Sequence, residues 1–208
     1  MLALRCRRVE HQWGHALGAL RSRAHFVKLR SLIPPLGLES GVVRVVDYDP
    51  RWPGLFLAEA ARVERAIAPL TLELEHVGST AISGLAAKPV LDILAAYGDE
   101  AERVNYIAAL TAAGYQHRGE QGIPGREFFR RGHPRAYHLH LAIRASQFWH
   151  DHLDFRNLLR ADIHARAEYG ALKHALAIRY PHDREAYIDG KGAFVRAALD
   201  RWRRAREA

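Results

Sequence analysis

The chain has 208 residues, 49% hydrophobic and 26% charged, with a formal net charge of +8. This composition describes a soluble globular protein, and with Cys6 as the single cysteine it excludes an internal disulfide scaffold. No apolar run reaches the ~18 to 20 residues of a membrane span, and the leading residues lack the apolar core of a secretory signal, so a cytoplasmic protein with no membrane partner is expected.

Charge is unevenly distributed. Residues 1–40 carry six Arg and one Lys against Glu10 and Glu39, which is +5 of the total. Arg201, Arg203, Arg204 and Arg206 form a second basic end. Such ends attract nucleic acid or anionic surfaces, or simply keep a chain soluble. Solubility is the leading reading, so nucleic acid is a lesser expectation confined to these tails. Residues 1–41 are therefore expected to form a basic extension, partly disordered, ahead of a domain over residues 42–208.

In chain order, residues 9–33 suggest a weak helix and Gly37 to Gly41 a break. Val42, Val43, Val45 and Val46 predict a short strand. Asp49 is placed to cap the next helix, with Pro50 in its first turn. From Trp52 to Ile67, Trp52, Leu55, Phe56, Ala60, Val63 and Ile67 recur at three- and four-residue steps, predicting one buried helical face. Residues 71–77 alternate as a half-buried strand that breaks at Gly78. Residues 89–95 are the most apolar strand candidate, and residues 100–113 predict an amphipathic helix ending before Gly114. Phe128 and Phe129 mark another short strand. Over residues 137–144, His138, His140 and Ala142 point one way while Leu139, Leu141 and Ile143 point the other. Residues 151–179 predict one broken helix or two short ones. A last helix, capped by Asp183, is expected to pause at Gly190 and Gly192 before reaching Trp202. This order gives an α/β fold with a helical C-terminal region.

Chemistry concentrates between Glu75 and Ile93. Gly78 permits a sharp strand exit, after which Ser79 and Thr80 offer hydroxyls beside free backbone N–H groups. Such a corner suits a phosphate or a purely structural turn. Asp92 is a carboxylate amid Pro89, Val90, Leu91, Ile93 and Leu94, so it needs a partner, a metal or an open sheet face. His138 and His140 share one strand face, a spacing that supplies two metal ligands, two oxyanion donors or a packing network. Lys88 could neutralise a phosphate or sit exposed at a strand end. Arg156 and Arg160 occupy adjacent turns of one helix, and Tyr169 with Lys173 and Tyr187 with Lys191 repeat the four-residue step. Together these pairs point to a helical half closing over an anion. The phosphate-binding P-loop, the dinucleotide fingerprint, the His-Glu-x-x-His motif and the nucleophile elbow are all absent. His150 and His152 are expected on the surface.

These residues come in an ordered set: Tyr48-Asp49-Pro50-Arg51-Trp52-Pro53, His76 to Ala81, Gly84 to Ile93, Phe128-Phe129, His138-Leu139-His140, Phe155 to Arg160, Tyr169 to Lys173 and Tyr187 to Lys191. The set resembles the GrpB family (UPF0157) across residues 42–199. The resemblance implies a nucleotidyltransferase-like fold, a mixed β-sheet flanked by helices, in which a Gly-Ser corner holds phosphates and sheet carboxylates hold a divalent ion, Mg²⁺ or Mn²⁺. It also implies a partner that is a nucleotide or another phosphorylated small molecule. Two positions depart from the pattern. Leu94 stands where the superfamily usually has a second carboxylate, which counts against a two-metal mechanism, and Ser83 replaces a common Pro.

The expectation is a nucleotide-binding protein that transfers a nucleotidyl or phosphoryl group with one metal. Gly78, Ser79 and Thr80 would position phosphate. Lys88, Arg156, Arg160, Lys173 and Lys191 would neutralise it, and Asp92, His138 and His140 would serve as metal ligands and catalytic groups. The alternative is a noncatalytic ligand-binding or protein-interaction module. The pattern specifies no oligomeric state.

Overall fold

A computed structural model describes residues 35–207. The helix expected over residues 9–33 lies outside the described residues. The first helix, α1 (Trp52–Ile67), forms where its periodicity predicts: Trp52, Phe56, Ala60, Val63 and Ile67 are all buried, so one stripe faces the sheet. Asp49 does not cap it. Its carboxylate accepts the Arg51 N–H at 2.9 Å and pairs with the Arg51 guanidinium, because a neighbouring cation competes successfully with the helix amides.

Five strands, β1 (Glu73–Val77), β2 (Leu91–Tyr97), β3 (Gln116–His117), β4 (Arg126–Arg131) and β5 (Tyr137–Ile143), pair in the order β1-β2-β5-β4-β3. The central pair β2 and β5 is parallel, and the other pairs are antiparallel. The fold is thus a mixed α/β sheet with flanking helices. Register fixes which groups share a face. Val77 pairs with Asp92, Asp92 with His138, and His138 with Arg130, giving one row across four strands. Alternation sends Leu91, Ile93, Ala95, Leu139, Leu141 and Phe129 to the other face, where they form the main core with α1 and α2 (Arg103–Ala112). Each such fully buried side chain contributes about 1.5–3 kcal/mol.

The Asp92 face lies beside the C-terminal helices α3 (Gln147–Ala161), α4 (Ile163–Arg179) and α5 (Arg184–Glu207). Trp149 packs on Val77, Leu94 and Ala96, and Leu158, Leu159, Ala165, Tyr169 and Ala198 pack on Ile82 and Leu85 after β1. Asp162 divides α3 from α4 by accepting the N–H groups of His164 and Ala165 at 2.9 and 3.0 Å. Asp183 caps α5 as expected, accepting the Ala186 N–H at 2.9 Å. The pause expected at Gly190 and Gly192 does not occur. A Cβ at Gly190 would lie 2.5 Å from Leu176, so this glycine serves close helix approach instead of a break.

The strand expected at Val42 to Val46 is also absent from the sheet. Only Val46 bridges Ala87, while Val43 donates its N–H to Pro181 at 2.8 Å and is buried with Leu176 and Tyr187. Residues 35–41, placed in the extension by composition, belong to the packed unit. Leu38 is buried and bridges Arg135, and the Gly37 N–H reaches Pro89 O at 2.7 Å. Among the described residues no helix is long and apolar enough to cross a membrane.

Candidate functional site

The site begins at the exit of β1. Gly78 adopts φ +70, and a Cβ there would come within 2.5 Å of Asp92 Oδ2. Glycine therefore does two things at once: it permits the turn, and it leaves room for the carboxylate of the neighbouring strand. Asp92 keeps 31% side-chain exposure, so it lines an opening and is not sealed in the core. His138 Nδ1 donates to Asp92 Oδ1 at 2.9 Å, and His140 Nε2 lies 3.6 Å from the same oxygen. One ligand atom from each of these residues falls within 4.8 Å of the others.

Phe128 packs against both imidazoles, at 5.0 Å from His138 and 5.1 Å from His140. Burial lowers both histidines from their ordinary value more than the Asp92 charge raises them, which favours neutral imidazoles. Burial also opposes ionisation of Asp92, but hydrogen bonds from the two histidines hold its carboxyl well below the usual range. His138 Nε2 and His140 Nδ1 are buried without a hydrogen-bond partner. The nitrogens that face the accessible carboxylate, His138 Nδ1 and His140 Nε2, lie close enough to it to share a divalent ion, so the three residues can coordinate one. Leu94, where a second carboxylate was missed, is buried under Trp149, and its register partner on β5 is His140. An imidazole from the next strand thus occupies that part of the site.

Three lysines approach from the other side. Lys88 and Lys191 lie over the Tyr187 ring at 5.0 and 4.6 Å, and Lys173 donates to Ala86 O beneath the Tyr169 ring. Burial, reinforced by repulsion from neighbouring cations, pushes Lys88 and Lys173 down to about 7 and Lys191 to about 8. None of the three forms a salt bridge among the described residues; Asp92 offsets Lys88 and Lys191 electrostatically. Ser79 is half-buried beside the Tyr169 hydroxyl.

Other expected groups are engaged by the protein itself. Thr80 is buried, and its hydroxyl shares a 3.0 Å hydrogen bond with His76. Arg156 pairs with Glu75 and donates to His76 O at 3.0 Å, while Arg160 donates to Ala81 O at 2.9 Å. These guanidinium groups brace the corner from α3. His150 is exposed as expected, but His152 is not a plain surface residue: its ring stacks near Phe148 and lies 5.7 Å from His140. The sequence reading passed over Arg130, Arg135 and Arg184: Arg130 shares the cross-strand row of Asp92 and His138, and Arg135 and Arg184 act electrostatically on Arg130 and on Lys88. Their isolated positions in the sequence carry no periodic signal, and only β-register and helix docking gather them. A depression of about 460 Å³ lined by Glu73, Asp99, Glu102 and Arg144 lies at the far end of β2 and contains none of these groups.

The family model described as GrpB protein matches residues 42–201. The chain belongs to the GrpB family. A solved relative, the conserved protein GrpB from Enterococcus faecalis, is 30% identical with a TM-score of 0.72, covering 79% of this chain and 100% of its own. The glutamate-rich protein GrpB of Alkalihalophilus pseudofirmus is 33% identical over 79% of this chain and 98% of its own length. The UPF0157 protein YqkA of Bacillus subtilis is 32% identical over 79% of this chain, which spans about half (49%) of that relative. The GrpB match begins at Val42, so it includes the Gly78 corner, Asp92, both histidines and all three lysines.

Proposed function

We propose that this GrpB-family protein binds a nucleotide or another phosphorylated small molecule together with one divalent ion, and transfers a nucleotidyl or phosphoryl group from it. One observation carries the reading: an accessible Asp92–His138–His140 cluster adjoins the Gly78 corner, and Lys88 and Lys191, without a carboxylate partner in a salt bridge among the described residues, lie over Tyr187 within the electrostatic field of Asp92. In this reading Asp92, His138 and His140 hold the ion. Two imidazoles and one carboxylate suit Mn²⁺, Zn²⁺ or Fe²⁺ better than Mg²⁺, which prefers an all-oxygen shell. When bound, the ion would supply Lewis-acid stabilisation of charge on phosphoryl oxygens. Gly78 and Ser79 would orient the phosphate through the backbone at the corner, and Lys88, Lys173 and Lys191 would neutralise it. Arg156 and Arg160 would keep the corner in place.

The burial of Leu94 under Trp149 favours a second reading, a binding module without turnover, because no second carboxylate is available on β2 for another ion. The two readings separate in one experiment. Wild type and Asp92→Asn would be titrated with Mn²⁺, Zn²⁺ and Mg²⁺, then assayed with nucleoside triphosphates and phosphoesters. Metal binding lost in the variant, with ion-dependent product from wild type, supports transfer. Ion and nucleotide binding without product supports the module. Equal ion affinity in both proteins rejects the assignment of Asp92.

A further inference from the structure

Arg130, Arg135 and Arg184 arrive from β4, the β4–β5 connection and the first residue of α5. Arg130 is the register partner of His138, which is the partner of Asp92, so it stands in the same cross-strand row and on the same sheet face as the metal cluster. Arg135 retains only 9% exposure. The Nε atom of each of the three is buried without a hydrogen-bond partner, and none of them forms a salt bridge among the described residues. Each also lies in the electrostatic field of the others. Burial, then Arg135, Arg184 and Arg118, push Arg130 down to about 10, while burial and Arg184 lower Arg135 against a partial opposing pull from Asp92. Arg130 stacks on Phe128 at 5.3 Å, which orients its guanidinium plane without supplying charge.

Arginines elsewhere in the molecule contrast with this group. The partly buried Arg62 and Arg131 pair with Glu59 and Arg103 pairs with Glu127, while the buried Arg126 donates to the carbonyls of Glu120 and Gln121. Three converging guanidinium groups without a carboxylate are unfavourable unless an anion completes them, and forked N–H donors match phosphate oxygens. We propose that Arg130, Arg135 and Arg184 form a second phosphate subsite, separate from the Gly78 corner and adjoining the metal cluster. It deepens the reading of the site given above. The shared chemistry is a phosphate group at the arginines. Its source is either the distal phosphate of a polyphosphate chain anchored at the lysines, or a phosphomonoester on a second substrate.

The test uses metal-free protein and inorganic probes, so it does not depend on turnover. Phosphate, pyrophosphate and tripolyphosphate would be titrated calorimetrically into wild type, Arg130→Gln, Arg184→Gln and Asp92→Asn. Losing one charge-assisted contact is expected to weaken tripolyphosphate binding about 10- to 100-fold in each arginine variant. Asp92→Asn removes a negative charge from the field of Arg135, Lys88 and Lys191, so it should tighten metal-free tripolyphosphate binding while losing the ion, which separates failure of the metal assignment from failure of the subsite. Thermal melts without anion should place both arginine variants at or above the wild-type midpoint, because each removes an uncompensated cation. One tripolyphosphate that excludes further phosphate upholds the subsite with the chain as source; phosphate binding alongside a bound nucleoside triphosphate upholds it with a second substrate. Wild-type affinity for every probe in both arginine variants overturns the proposal, as does a lowered midpoint with unchanged binding, which marks the arginines as structural.

Discussion

On the sheet face that meets α1 and α2, Glu59 is buried but accepts from Arg62, Arg131 and Tyr115, and Glu127 accepts from Arg103 and His117. On the opposite face Arg135 and Lys173 are as deeply placed, and neither has a carboxylate partner among the described residues. Burial alone therefore does not distinguish a structural charge from a functional one. What distinguishes them is whether the protein supplies the counter-charge itself. The first face completes its ionic groups internally and behaves as core. The second leaves cations and imidazole nitrogens unmatched, which suits a surface whose complement is a ligand.

The largest test of this difference is Glu59→Gln. Removing the charge that holds Arg62 and Arg131 should lower unfolding free energy by about 3–5 kcal/mol, read from urea midpoints. Ligand affinity on the other face should be unchanged, and a loss of less than about 1 kcal/mol would contradict the structural role given to Glu59.

Next comes Gly78→Ala, compared with Gly84→Ala. Both glycines have positive φ, +70 and +75, but a Cβ at Gly84 meets nothing within 4 Å, whereas one at Gly78 meets Asp92. Backbone strain of about 1–3 kcal/mol is expected in both. Only Gly78→Ala should also weaken divalent-ion binding, because it displaces the carboxylate. Equal ion affinities in the two variants would show that the corner does not shape the metal cluster.

The two faces should also respond to pH in the same direction but in different windows. Despite the opposing effect of burial, hydrogen bonds and charge from their partners hold Glu59 and Glu127 below the ordinary 4.5. Their stabilisation is present above about pH 4.5 and is lost as pH falls through the folded values. Lys88, Lys173 and Lys191 are depressed from 10.5 to about 7, 7 and 8, so the unfolded chain binds more protons in between. Stability should therefore rise as pH increases from about 7 toward 10.5, and Lys173→Met should flatten that rise. A rise of undiminished slope in the variant would remove Lys173 from the set of strained amines.

The smallest effect is expected away from both faces. Asp154 pairs with Arg203 and Arg206 between α3 and α5 at the surface, so Asp154→Ala should change stability by less than about 1 kcal/mol.

Local pattern alone determined much of this molecule. The four-residue apolar spacing of α1, the alternation around His138 and His140, and the polar residue isolated in an apolar strand at Asp92 each record a short-range rule of helix or strand geometry. Hence the helices and the α/β order were legible and the ordered motifs identified the family, whereas the meeting of Asp92 with His138 and His140 was decided by the parallel pairing of β2 with β5. The failures have one physical cause. Val42 to Val46 have strand propensity, but Val43 is drawn to Leu176, Tyr187 and Pro181 O instead of to an edge of the sheet. Gly190 breaks helices in isolation, yet here it lets α4 and α5 approach. Thr80, Arg156 and Arg160 are chemically suited to phosphate, but His76 and the carbonyls of the corner reach them first. Arg130, Arg135 and Arg184 share no spacing in the chain. Only strand register and the docking of α5 bring them together, because convergence of distant side chains is a property of packed geometry and leaves no periodic trace in the order of residues.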